Sequence, residues 1–219
     1  MENNPYKYHK INERLYYVDG AKDKPVPKIS LINCGDFSVL VDVGNEEGQV
    51  ESLNKMIKEF NLPIIKYVII THFHDDHIHN IGHFSNFSII ATKYTMKYIK
   101  CIDAPLEKPM IIEAKNFNIK IDFLPNSHSK GALLIYEDLD KVMFIGDALC
   151  GRILGDKVYL NRSSTYEMIK KFNEYDVSFY VDGHSDLEET TKTKVEETLN
   201  SYKKLFKEHN EETLEVPFF

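Results

Sequence analysis

The sequence THFHDDHIHN, residues 71–80, places four histidines and two aspartates within ten positions. It follows directly on the apolar run YVII, residues 67–70, which has the composition of a short buried strand. The whole chain has 9 histidines, so this stretch is strongly enriched. Such a cluster fits either a metal site or a polar loop, and the choice depends on whether the rest of the chain supplies further ligands.

The bulk composition is that of an ordinary globular protein. A chain of 219 residues is long enough to bury a sizeable core, and no shift in composition divides it. We therefore predict a single domain over residues 1–219. The formal net charge of −7 disfavours a nucleic-acid partner, because proteins that bind phosphate backbones usually carry a basic surplus.

We expect neither an export signal nor a membrane span. Its first residues are polar and charged, and no segment reaches the ~18 continuous apolar residues that a membrane span needs. Cys34, Cys101 and Cys150 are odd in number and widely spaced, which indicates reduced thiols rather than a disulfide framework. We expect a cytoplasmic protein with a small-molecule substrate and no membrane partner. The oligomeric state stays open, with a dimer among the options.

The order of predicted elements indicates mixed sheets covered by helices. Strand-like runs dominate the first 45 residues, and residues 46–60 carry apolar side chains at helical spacing. Strands and helices then alternate, with a helix predicted over residues 93–102 and a loop over a cleft predicted for residues 149–164. This pattern predicts an α/β fold built in layers.

Further potential ligands follow other apolar strands, each as the first strong metal-binding side chain after the strand. Side chains at the carboxyl ends of several strands converge at one edge of a sheet, where binding clefts form. Chance composition would not repeat this placement. The resulting set of strand-end residues is His72, His74, Asp76, His77, His128, Asp147 and His184.

Five histidines and two aspartates are too many ligands for one four-coordinate ion. They suit two ions about 3.5–4 Å apart that share a bridging carboxylate and a bridging water. Ligands rich in imidazole favour zinc, with iron or manganese as options, and the lack of thiolates excludes a cysteine-type structural zinc site. We expect two Zn²⁺ ions per chain.

These motifs together resemble the metallo-β-lactamase superfamily. HFHDDH, residues 72–77, fits the family's HxHxDH signature, and VDVG, residues 41–44, is similar to its Asp-x-Gly turn. HSKG, residues 128–131, and FIGDAL, residues 144–149, are similar to its later ligand motifs. The resemblance extends from residue 29 to residue 185, which is most of the chain.

The resemblance implies an αββα sandwich of two mixed sheets, with the metals at one edge. It implies that His72, His74 and His128 hold the first ion. Asp76, His77 and His184 would hold the second ion, and Asp147 would bridge the two. Asp42 would lie behind the ligands and orient one of the histidines.

The expected chemistry is metal-assisted hydrolysis. A pair of ions lowers the pKa of a bridging water to about 7, so that hydroxide forms at neutral pH and attacks an ester, thioester, lactone, amide or phosphodiester bond. Asp76 could also act catalytically by accepting a proton from the attacking water and passing it to the leaving group. Arg152, Tyr159 and Arg162 are the candidate substrate contacts, since they follow Asp147 in the predicted loop.

Several alternatives stay open within this chemistry. An acyl-homoserine-type lactonase shares HxHxDH, and so does a mononuclear iron dioxygenase that acts on persulfides. A β-lactamase is a further option, although the commonest zinc β-lactamases are exported and have Cys where this chain has Asp147. A metal-binding protein without enzymatic activity belongs to a different class again. Metal content and a panel of substrates separate these options.

Overall fold

The histidine-rich stretch follows a strand of a six-stranded mixed sheet. The computed structural model describes residues 4–21, 23–99 and 104–217. Within these, the first sheet has its strands in chain order. β1 to β4 form an antiparallel meander, and β5 and β6 continue the sheet in parallel. The six strands are β1 (Tyr8–Lys10), β2 (Leu15–Val18), β3 (Ile29–Asn33), β4 (Ser38–Val41), β5 (Ile65–Ile69) and β6 (Ser88–Ile90).

The second sheet has five strands and contributes the later strand-end residues. Its order is β13-β10-β9-β8-β7, and only the β10–β13 pair is parallel. Its strands are β7 (Met110–Glu113), β8 (Asn118–Phe123), β9 (Leu133–Glu137), β10 (Val142–Gly146) and β13 (Phe179–Asp182). A small antiparallel third sheet is formed by β11 (Arg152–Leu154), β12 (Lys157–Asn161) and β14 (Thr213–Val216).

The helices cover the outer faces of the two large sheets. They are α1 (Glu47–Glu59), the single-turn α2 (Asp75–Ile78), α3 (Arg162–Phe172) and α4 (Lys192–Glu208). Apolar residues of α1 pack on one face of the first sheet, and those of α3 and α4 pack on the second sheet. A third apolar cluster lies between the sheets and takes residues from both.

Strand alternation explains why each large sheet is covered on both faces. In β4, Val39 and Val41 belong to the cluster between the sheets, whereas Leu40 belongs to the cluster that contains α1. Successive strand side chains point to opposite faces, so a strand that is apolar at every position must be buried on both. The predicted αββα sandwich of two mixed sheets flanked by helices is thereby confirmed. A single domain over residues 1–219 stays a prediction.

Two sequence-based expectations of secondary structure were wrong. Of the helix expected over residues 93–102, the described part contains only a 3₁₀ turn, Thr95–Lys97. Here Tyr98 stacks on Phe73, and such tertiary contacts override weak helix propensity. The expected loop over 149–164 contains the β11–β12 hairpin. β12 also pairs with the distant β14, which no local pattern reveals. Cys101 lies outside the described residues.

None of the helices in the described part of the chain is long and apolar enough to cross a membrane.

Truncating a side chain between the sheets should destabilise the fold, whereas the same change at a hairpin tip should not. Leu133 is fully buried and Leu139 is half exposed. We expect Leu133→Ala to lower the free energy of unfolding by about 2–5 kcal/mol, through lost burial and the cavity it leaves. Leu139→Ala should change it by less than about 0.5 kcal/mol. Denaturant unfolding followed by circular dichroism measures both, and equal losses would contradict this description of the core.

Candidate metal centre

All seven strand-end residues come together in the structure. They form two groups of four, and within each group the potential ligand atoms lie within 4.8 Å of one another. Asp147 belongs to both groups. The first group contains His72, His74, His128 and Asp147, and the second contains Asp76, His77, Asp147 and His184. The division is the one that the resemblance implied, and the assignment of ions to it stays a prediction.

The spacing of the first group suits a small four-coordinate cation. His74 Nδ1 lies 3.1 Å from His72 Nε2 and 2.8 Å from His128 Nε2. Asp147 Oδ2 lies 3.8 Å from His72 Nε2 and 3.4 Å from His128 Nε2. Four ligands at the zinc–nitrogen distance of about 2.0–2.1 Å in a tetrahedron are roughly 3.3–3.4 Å apart. The observed distances bracket that value.

The second group has the same spacing. His184 Nε2 lies 3.2 Å from Asp76 Oδ2 and 3.4 Å from Asp147 Oδ2. His77 Nε2 lies 3.2 Å from Asp147 Oδ1 and 3.7 Å from Asp76 Oδ2. Asp147 therefore presents one carboxylate oxygen to His77 and the other to histidines of both groups. This is the position a carboxylate shared by two ions would take.

Two buried acceptors face each other inside the second group. His77 Nδ1 lies 2.8 Å from Asp42 Oδ2, so the neutral ring carries its N–H on Nδ1 and a lone pair on Nε2. Both His77 Nε2 and Asp147 Oδ1 are buried and lack a hydrogen-bond partner. Burying two unpaired acceptors in contact is costly. A cation between them would satisfy both, so the residues fit a metal ion.

Hydrogen bonds behind the cluster set the same tautomer in two further histidines. Thr71 Oγ1 donates to Asp42 Oδ2 at 2.7 Å and can therefore accept from His72 Nδ1 at 3.1 Å. His128 Nδ1 donates to the carbonyl of Gly151 at 3.1 Å. With the proton on Nδ1, both residues direct the Nε2 lone pair into the cluster. Such outer partners orient ligands and raise their basicity.

Asp42 holds Thr71 and His77 in place through its side chain. Its φ of 58° is unusual for a residue other than glycine, and the turn continues through Gly44 at φ 66°. The Asp42 carboxylate accepts from the backbone N–H of Thr71 at 2.7 Å as well as from the Thr71 hydroxyl and His77. The strained turn is thus compensated by three buried hydrogen bonds. Asp42 thus contacts His77 on the side away from the cluster, and its role in orienting a metal ligand stays a prediction.

The protonation states follow from burial and from the charges of the neighbours. Burial and the nearby imidazole of His77 hold the pKa of His72 well below its usual range, so His72 is neutral. Burial opposes ionisation of Asp147, but His77 and His184 bring its pKa well below the usual range. Burial also lowers the pKa of His184, yet the carboxylates of Asp147 and Asp76 raise it to about 9. A proton on His184 would compete with a metal ion, so loading should release protons.

Two turns of the same construction carry His128 and His184. The side chain of Asn126 accepts from the backbone N–H groups of His128 and Ser129, both at 2.9 Å. The Asp182 carboxylate accepts in the same way from His184 at 3.1 Å and Ser185 at 2.7 Å. Sequence reasoning missed these supporting residues. The signal was available as Asn-x-His-Ser and Asp-x-His-Ser, an Asx turn placed two residues before each histidine.

Glycine is required where the second group meets the β13 turn. A Cβ on Gly183 would lie 2.4 Å from Asp147 Oδ1 and 2.9 Å from His77 Cε1. No side chain fits at such distances unless the carboxylate shifts. Gly183 therefore allows the backbone to pass directly behind the shared carboxylate. Like Asn126 and Asp182, Thr71 and Gly183 lie near the ligands and were not singled out from the sequence.

The candidate substrate contacts separate in the structure. Arg152 and Tyr159 are cross-strand neighbours in the β11–β12 hairpin, next to the Gly151 carbonyl that His128 contacts. Arg162 is not at the cluster. Its guanidinium donates to the carbonyls of Phe206, His209 and Glu211, near the end of α4. The expectation for Arg162 was wrong because its donors are committed to these carbonyl groups.

Comparison with known proteins identifies the fold and the family motif. A model of the metallo-beta-lactamase superfamily matches residues 27–99. A metallo-beta-lactamase from Pontibacter korlensis is 15% identical with a TM-score of 0.72, covering 89% of this chain and 97% of its own. Metallo-beta-lactamase IND-7 is 20% identical with a TM-score of 0.71, covering 91% and 98% respectively. A metallo-beta-lactamase from Hirschia baltica is 19% identical with a TM-score of 0.68, covering 90% and 97%. No curated protein matches the sequence.

A methyl group on Gly183 should weaken metal binding. We expect Gly183→Ala to reduce zinc affinity by at least roughly 10-fold, because the new Cβ displaces Asp147 and His77. Gly82→Ala is the matched control, since a Cβ there meets nothing within 4 Å. Zinc competition with a chromophoric chelator measures both variants. Unchanged affinity in Gly183→Ala would show that the shared carboxylate does not contribute to binding.

Proposed function

We propose that the chain is a member of the metallo-β-lactamase superfamily and a hydrolase that works with two metal ions. Its substrate would be a small molecule with an ester, thioester, lactone or phosphodiester bond. The observation that carries the proposal is the sharing of Asp147 by two groups of ligands, each with buried imidazole nitrogens directed inwards. A mononuclear centre would need only one of these groups.

The donor set favours zinc, with iron or manganese as alternatives. Imidazole and carboxylate ligands without thiolate suit zinc, and Zn–N distances of about 2.0–2.1 Å agree with the spacing of both groups. When bound, two such ions supply a hydroxide at neutral pH and polarise the oxygen of the scissile bond. The chain's own residues then determine how substrate approaches and where protons move.

The exposure of the ligands indicates the side from which substrate enters. His72 and His77 have side chains that are at most 1% exposed, and that of Asp147 is 9% exposed. His184 and Asp76 are more open, with 34% and 18% of the side chain exposed. A substrate would therefore approach over Asp76 and His184, while the buried ligands form the floor of the site.

Asp76 is the residue placed to carry the proton. Burial opposes its ionisation, but the hydrogen bond from His184 and the nearby His77 lower the pKa of Asp76, so it is ionised at neutral pH. Its Oδ2 faces His184 and His77, which leaves Oδ1 to accept a proton from the attacking water. Returning that proton to the leaving group would complete the hydrolysis.

Arg152 and Tyr159 are the residues we assign to contact with the body of the substrate. Arg152 is exposed, and Tyr159 is half-buried beside it on the adjacent strand. The hairpin contacts the cluster through Gly151, the residue directly before Arg152. The carbonyl of Gly151 accepts a hydrogen bond from His128. A guanidinium and a phenol at this place suit a polar or anionic group on the substrate.

A ligand and a non-ligand histidine from the same decapeptide test the proposal. We expect His74→Ala to lose bound metal and to lower kcat/KM by more than roughly 100-fold, the upper end of the loss produced by changing only a supporting partner. His79→Ala should keep both, because His79 is exposed and pairs only with Asp75 among the contacts described. The measurements are metal analysis and hydrolysis of a panel of esters, thioesters, lactones, phosphodiesters and β-lactams.

Two results would contradict the proposal. One is full hydrolytic activity in a preparation stripped of metal. The other is tight binding of two ions without hydrolysis of any member of the panel, which would favour a metal-binding protein without this activity. Oxygen consumption with a persulfide and one iron per chain would instead support the dioxygenase alternative.

A further inference from the structure

A buried lysine lies beside the turn that carries His184. Lys28 immediately precedes β3, and its side chain is only 7% exposed. Isolated buried ammonium groups are unfavourable, so a buried lysine is retained where its partners compensate for lost hydration. The hydrogen-bond and ion-pair partners described for the Lys28 side chain belong to one segment, residues 182–185.

Lys28 contacts this segment through both its backbone and its side chain. Its backbone N–H donates to the carbonyl of Gly183 at 2.7 Å. Its Nζ donates to the carbonyls of Gly183 at 3.4 Å and of Ser185, and pairs with Asp182 Oδ1 at 3.7 Å. The same Asp182 oxygen accepts from the backbone N–H of His184 at 3.1 Å. Lys28 therefore holds three of the four residues that shape the turn.

This contact joins the two halves of the sandwich at the second metal group. Lys28 immediately precedes β3 of the first sheet, and the turn follows β13 in the second sheet. The second group is itself divided, since Asp76 and His77 follow β5 of the first sheet and His184 follows β13. Its ligand distances consequently depend on how the two sheets are aligned there. Among the contacts described, the turn touches the first group at Asp147, so the other ligand distances of that group do not involve it.

We propose that Lys28 is a positioning residue for His184, and that it sets the affinity of the second ion without contacting the ion. The inference rests on the proposed two-ion function, but its test reads metal binding rather than turnover. Removing the ammonium should release the turn and let His184 move away from Asp76 and Asp147. The first group should keep its affinity, because Lys28 makes no contact with its histidines among the contacts described.

The test compares stepwise zinc binding in variants of the full chain. Lys28→Met keeps an unbranched side chain and removes the charge, and His184→Ala identifies the binding step that belongs to the second group. We expect Lys28→Met to weaken that step by roughly 10-fold or more and to leave the other step unchanged. Lys28→Arg keeps the charge and should retain part of the affinity.

Lys171→Met is the matched control for losing a lysine ion pair. Lys171 Nζ pairs with Asp122 at 2.6 Å and Glu174 at 2.7 Å, and its side chain is 20% exposed. We expect this variant to bind both ions as the parent does. Equal weakening of both steps in Lys28→Met, or the same loss in Lys171→Met, would overturn the inference in favour of a general effect on stability.

Asp182→Asn decides the question if Lys28→Met does not fold. The asparagine oxygen can still accept from the backbone N–H groups of His184 and Ser185, and its NH2 can donate to the Ser185 hydroxyl, which donates to Oδ2 in the parent. The turn is therefore kept while the charge facing Lys28 is removed. We expect Asp182→Asn to weaken zinc binding at the second group selectively, and parent-like affinity at that group would overturn the inference.

A parent protein that binds fewer than two ions would instead refute the proposed function. A parent that binds two ions but hydrolyses nothing would leave the role of Lys28 intact.

Discussion

The carboxylate of Asp147 lies in contact with four imidazoles, and the centre is arranged around this buried negative charge. Its two oxygens are 3.2–3.8 Å from nitrogens of His72, His77, His128 and His184. A carboxylate without compensating positive charge would not be stable at such a depth. The carboxylate of Asp147, with Asp42 beside His77 and Asp76 beside His184, raises the pKa of both imidazoles, so protons on His77 and His184 balance that charge. Metal ions would take the same positions, so the charges that favour these protons also favour metal binding.

The residues that surround Asp147 follow strands of both sheets. β5, β10 and β13 all end at the same edge, and the polar turns that follow them carry the histidines and aspartates. The turns are held by side chains that do not themselves face the cluster. Asp42 holds Thr71 and His77, Asn126 holds the His128 turn, and Asp182 holds the His184 turn. Because His72, His77 and His128 are each held by a hydrogen bond to Nδ1, these three rings need little reorganisation when an ion binds.

The sequence predicts that these residues come together because their pattern is local and repeated. Each of His72, Asp147 and His184 follows an apolar strand, and strand ends converge for topological reasons that do not depend on detail. Asp42 was accessible only through the resemblance, because nothing in a single Asp-x-Gly turn says that it faces a histidine 35 residues later. The contact of Lys28 with residues 182–185 was not accessible at all, since no periodicity connects positions so far apart.

The errors have a common physical cause. Arg162 follows Asp147 closely in sequence, but the β11–β12 hairpin and its pairing with β14 direct it to the end of α4. The 93–102 segment has helical spacing, but aromatic contacts with other elements determine its conformation. In both cases long-range packing outweighs the local pattern, and substrate contacts depend on such packing more than ligands do.

In the proposed centre, the Asp147 carboxylate serves two ions. Anomalous diffraction at the zinc edge, from crystals of the zinc-loaded protein, tests this arrangement directly. We expect two peaks roughly 3.5–4 Å apart, on either side of Asp147, one near His72, His74 and His128 and the other near Asp76, His77 and His184. A single peak under saturating zinc, or two peaks of which only one lies beside Asp147, would contradict it.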